Sequence, residues 1–180
     1  MGPTAPSFWR GTIEMQRDRV LCGWNAWQDE HRRHPDRSAD PADGFATCLL
    51  HDFGPMLADA HFMLVAIRRL EMCCRQMHRV SGNRLILDAL DQFAAAVPSA
   101  KHVRDVLEHF DAYASCEGRR PETGAQGHWM PRLSFDPDPA LNVGDLSVDL
   151  LSAADAAVEL AETVGAAWRD HISVVFTPAI

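Results

Sequence analysis

The chain has 180 residues, 47% of them apolar and 23% charged, enough for one domain to bury a full core without disulfide or metal staples. A formal net charge of −8 excludes a general nucleic-acid coat protein and a polybasic membrane binder, though not a local basic site. Five cysteines are an odd count and Cys73 adjoins Cys74, which excludes a secreted disulfide framework and reads as reduced thiols in a cytoplasmic protein.

Residues 1–10 carry two prolines and no apolar h-region, so they read as a loose start without a signal peptide. The strongly apolar run Phe62 to Ile67 is far too short to span a bilayer, so no membrane partner is expected. A first helix is predicted from about Thr12 to Arg33, because Ile13, Val20, Trp24 and Trp27 share one face. Pro35 ends it, and His34 to Gly44 is a linker of turn formers. The second helix, near 54–80, is the plainest in the chain. Met56, Ala60, Met63, Ile67, Leu70, Cys74 and Met77 alternate in steps of four and three, a continuous seam for bundle packing. Phe62, Leu64 and Val65 are expected to widen that seam, and Ser81-Gly82-Asn83 to close the helix.

A third helix covers about Arg84 to Val97, with Ile86, Leu90, Phe93 and Val97 inward. Ser99 is the N-cap candidate for a fourth, Ala100 to about Ser115, whose apolar face is Val103, Val106, Leu107, Phe110 and Tyr113/Ala114. Beyond a loop the period drops to two, which predicts a small β-hairpin, roughly 129–136 and 141–149, turning at Asp136-Pro-Asp-Pro139. A last helix runs from about Leu151 to His171, with Leu151, Ala154, Val158, Ala161, Val164, Trp168 and Ile172 inward. The apolar tail, Ser173 to Ile180, would pack back as a short strand or sit in an oligomer interface. The expected fold is therefore mainly α, a four- or five-helix bundle with the hairpin before the last helix.

The fourth helix carries Arg104, four residues, then His109, and no other arginine here is followed by a histidine at four to six residues' spacing. Together the two can move a proton and hold a phosphate, which phosphoryl chemistry needs. Histidine titrates near neutrality, and arginine binds phosphate bidentately. Five positions rotate about 140° around a helix, so such a pair works best where a two-fold mate completes the cleft. The bland alternative is a set of solvated helix pairs: Arg104 with Glu108, Lys101 with Asp105, and Asp105 with His109.

This stretch resembles the RX4–6H motif of the HEPN superfamily, with Asp105 at its polar position. The resemblance covers about residues 50–116 and the last helix, and makes residues 1–180 one HEPN-like domain with an inserted hairpin. It implies an all-helical homodimer and a metal-independent endoribonuclease without cofactor. Single-stranded RNA would be the substrate, and a neutralising or regulatory protein a further partner. His109 would move the proton, Arg104 hold the phosphate, Asp105 tune the site and Tyr113 contact substrate. Neither Arg104 nor His109 lies on the helix's apolar face, so replacing either should remove cleavage and leave the helix intact. Arg68, Arg75 and Arg79 share a face of the second helix with Glu71 as near counter-charge, and could track phosphates. The other class is a non-catalytic interaction or regulatory module in which Arg104 and His109 only stabilise their helix.

A second resemblance competes. Leu49-Leu50-His51-Asp52-Phe53-Gly54 looks like the core of HD-domain phosphohydrolases, where a His-Asp pair helps hold divalent metal. His31 or His34 would stand upstream and Asp105 or Asp111 downstream. Pro55 replaces the usual lysine, and capping the second helix is the plainer role for His51-Asp52.

Overall fold

In a computed structural model, residues 5–33, 54–109, 132–135 and 138–175 are described. Among them lie five helices and one small sheet: α1 (Ala5–Arg33), α2 (Gly54–Ser81), α3 (Arg84–Ala96), α4 (Ala100–Glu108), β1 (Arg132–Phe135), β2 (Pro139–Val143), β3 (Leu146–Asp149) and α5 (Leu150–Val175). The expected mainly α bundle is present, with α2 touching every other helix and one apolar cluster running through all five.

The first helix begins at Ala5, not Thr12, so residues 5–10 are ordered helix rather than a loose start. Pro6 is tolerated because first-turn N–H groups have no intrahelical acceptor to lose. Ile13 and Val20 are fully buried. Gly23 lets α1 approach α2: a Cβ there would stand 3.3 Å from the Met56 side chain. Arg10 and Arg17 reach across to Glu162 and Asp155 of α5 at 3.1 and 3.0 Å.

All seven seam residues of α2 are buried. Phe62 is a correction: it is 58% exposed, because one position off the seam turns it about 100° outward. Leu64 is buried as expected, and Val65 is half-buried. Gly82 ends the helix at φ +65, with its N–H donating to the His78 carbonyl at 2.8 Å, a left-handed cap that glycine adopts without strain. Asn83 then caps α3, its side chain accepting from the Leu85 N–H at 2.9 Å.

Ile86, Leu90 and Phe93 point inward from α3 as expected, while Val97 is half-buried. Ser99 stands at the N-cap of α4 but makes no side-chain cap bond, since its own backbone is already helical. The helix stops at Glu108, with His109 as its C-cap. Phe110, Tyr113 and Ala114 lie outside the described residues.

The hairpin has three short strands, in the order β1-β2-β3 and antiparallel throughout. Gly144, at φ +61, splits the second predicted arm with a two-residue turn, of the kind that follows strand twist. Leu141, Val143, Leu146 and Val148 face the core, and Leu141 pairs with Leu133 and Val148. The Asp149 carboxylate accepts the Ser152 N–H at 2.8 Å, which caps α5 as it leaves the sheet. This helix runs on to Val175 and absorbs the start of the predicted tail. Its buried stripe is Ala153, Ala154, Ala157, Leu160, Ala161, Val164 and Ala167. Leu151, Val158, Trp168 and Ile172, expected inward, are half-buried at its edges. No helix among the described residues is long and apolar enough to cross a membrane.

Candidate functional site

Nine residues of helix are too few to persist alone in water, so packing holds α4. Val103 and Val106 anchor it in the core, against α2 on one side and β2 and β3 on the other. Lys101, Arg104, Asp105 and Glu108 recur at steps of three, one and three and form its charged stripe. The Arg104 guanidinium pairs with the Asp105 carboxylate and with Glu108 at 3.0 Å. The Arg104 and Asp105 side chains are only 18% and 11% exposed. Arg104 is thus the cation that keeps a buried carboxylate paired, which sets it against the expectation that its removal leaves the helix intact.

His109 goes elsewhere. The helix has ended, its φ of −129 and ψ of 37 leave the helical region, and the residue is exposed. Its backbone N–H donates to the Asp105 carbonyl at 3.1 Å. The structure thus brings together Arg104, Asp105 and Glu108, and turns His109 away onto the surface.

His61 of α2 joins the cluster unannounced. It lies within electrostatic reach of Glu108 and Arg104, and its Nε2 is buried with no hydrogen-bond partner among the described residues. Burial pushes its pKa below the usual 6.5; Glu108 acts against this and Arg104 with it. A readable signal was there: His61, Leu64, Arg68, Glu71 and Arg75 repeat at steps of three and four, a second stripe beside the apolar seam.

A stability consequence follows from that pKa. The unfolded chain takes up a proton on His61 near pH 6.5, which the folded chain resists. Stability is therefore lost as pH falls below about 6.5 and regained as it rises. His61→Gln is expected to give a shallower rise of Tm between about pH 5.5 and 7 than wild type. Equal slopes in thermal unfolding would contradict the assignment.

The arginine face is also closer to neutral than its sequence suggests. Arg75 holds Glu71 through Nε and a terminal nitrogen at 2.9 and 2.7 Å, and Arg68 holds its other oxygen. Burial alone would raise the Glu71 pKa, but hydrogen bonds and charge from the two guanidinium groups outweigh it and lower the pKa. Arg79, one turn beyond Arg75, is exposed.

Cys73 and Cys74 are buried, and burial pushes the Cys74 thiol up to about 12, which suits packing and not nucleophilic attack. Among the described residues, no three His, Cys, Asp or Glu side chains come together to hold a metal ion. His34, His51, Asp52, Asp111 and Tyr113 lie outside the described residues, as does the side chain of His31. Comparison with known protein families, curated proteins and solved structures finds no match, so a functional reading rests on the residues themselves.

Proposed function

We propose that the chain is a HEPN-like helical interaction module that works by binding and does not cut RNA. The observation that carries this reading is the engagement of Arg104 by Asp105 and Glu108, with His109 exposed beyond the helix end. A phosphate at Arg104 would have to displace two carboxylates, one of them buried. Exposed apolar residues supply the binding surface: Phe8 and Met15, 64% and 49% exposed, lie seven apart on α1 and share a stripe that a partner helix would cover. A second copy of the chain is the simplest such partner.

The test is purified protein with labelled single-stranded RNA, with and without EDTA, beside His109→Ala. Wild type and variant are expected to leave the RNA equally intact. Chelator-resistant cleavage with 2′,3′-cyclic phosphate ends, lost by a factor of about 10² to 10⁴ in His109→Ala, would overturn the reading. Cleavage that EDTA abolishes would point instead to metal-dependent HD-type chemistry through His51 and Asp52.

A second reading, the metal-independent endoribonuclease, is favoured by one observation: His61, with its lowered pKa and unpartnered Nε2, lies near Arg104. On that reading His61 accepts the proton, and His61→Ala abolishes cleavage while His109→Ala does not.

A further inference from the structure

The stripe His61-Leu64-Arg68-Glu71-Arg75 does more than face α4. Where α2, α3 and the start of α4 meet, its Leu64, Arg68, Glu71 and Arg75 border a cavity of about 180 Å³. The floor is apolar, made by Leu64, Ile67, Phe93 and Val97. Three cations stand around it, Arg68, Arg75 and Lys101, against the single carboxylate of Glu71. This concentrates a local charge of about +2 in a chain whose net charge is −8.

Two further features favour an anion there. Glu71 takes Nε and one terminal nitrogen of Arg75 and one terminal nitrogen of Arg68, which fixes both guanidinium groups at the cavity edge and leaves their remaining N–H donors, with the Lys101 ammonium, to meet a ligand. Ser99 leaves the first turn of α4 without a side-chain cap, and Ala100 and Lys101 of that turn line the cavity. The positive end of the helix dipole therefore adds to the side-chain charge. The neighbouring cavity of about 210 Å³ between α3 and α5 has Glu159 as its charged residue and no cation, so the same argument does not apply to it.

We propose that the α2–α3–α4 cavity binds a small amphipathic anion, a carboxylate or phosphate monoester carried on one aromatic ring or a short apolar chain. Size sets the body of the ligand: an open cleft of about 180 Å³ has room for little more than one ring or a short chain. The apolar part sits against Ala94 and Val97 at the edge of Phe93, and the anion meets Arg68, Arg75 and Lys101. Neither Arg104 nor His109 lines the cavity, so the site stands or falls independently of the RNA assay.

The experiment titrates benzoate and phenyl phosphate into the full chain by calorimetry, with benzyl alcohol as the uncharged control. Saturable one-site binding is expected for at least one anion, with benzyl alcohol at least about tenfold weaker. Whichever anion binds more tightly names the head group. Arg75→Gln is expected to weaken binding about tenfold or more, the usual effect of losing a charged hydrogen bond. Ala94→Phe, at an exposed cavity-lining position of α3, should block the site and leave the charges in place, with circular dichroism confirming the fold. Absence of saturable binding, benzyl alcohol binding as well as the anions, or no change in either variant would overturn the proposal.

Discussion

Leu70→Ala is expected to lower the unfolding free energy by about 2 to 5 kcal/mol, the range for emptying a well-packed aliphatic site. Leu70 is 0% exposed and sits midway along α2, which touches every other described helix. Its neighbours belong to helices that are themselves pinned by further contacts, so the cavity cannot collapse fully. Phe62→Ala, eight positions earlier on the same helix, should change stability by no more than about 0.5 kcal/mol, because an exposed ring surrenders little apolar area. Urea unfolding of the two variants checks both values. A small loss at Leu70 would mean that α2 is not the centre of the core.

Arg104→Met should cost about 3 kcal/mol, although methionine keeps most of the side chain's volume. The cost comes from Asp105, whose nearly buried carboxylate loses its cation, and breaking a buried pair from one side typically costs about 3 to 5 kcal/mol. The lower end is expected because Glu108, the other partner, is 32% exposed and can turn to water. The double variant Arg104→Met with Asp105→Leu should recover much of the loss, since no charge is then left buried. Denaturant melts of the two singles and the double form a complete cycle. If Arg104→Met matches wild type in stability, the arginine is free for other work, and the argument for a binding module loses its support.

Apolar periodicity made α2, α3 and the core of α5 legible, because their buried residues are separated from polar ones at near-regular spacing. It failed at ends. Pro6 disguised the first turn of α1, and the two-residue alternation resumes past Gly144, whose positive φ breaks it into two strands. In the site, the short-range pairing of Arg104 with Glu108 could be read from i, i+4 spacing. The direction of His109 could not, because a five-residue rotation assumes a helix that continues, and α4 stops at Glu108. His61 was hidden for another reason. Its partners lie more than forty residues away on α4, and no local pattern announces a neighbour brought in by packing. The same holds for the cavity, which needs α2, α3 and the α4 start together.

The pairing of α1 with α5 has a consequence for how the chain is made. Arg10 waits for Glu162 and Arg17 for Asp155, separations of 152 and 138 residues. At ribosomal speeds of about 5 to 20 residues per second, α1 therefore leaves the ribosome on the order of ten seconds before the helix that completes its groove. During that interval α2 can shield only one flank of Ile13 and Val20. The nascent chain thus stays open to proteases and to pairing with other unfinished copies until α5 is made, and closure of the bundle falls to that helix.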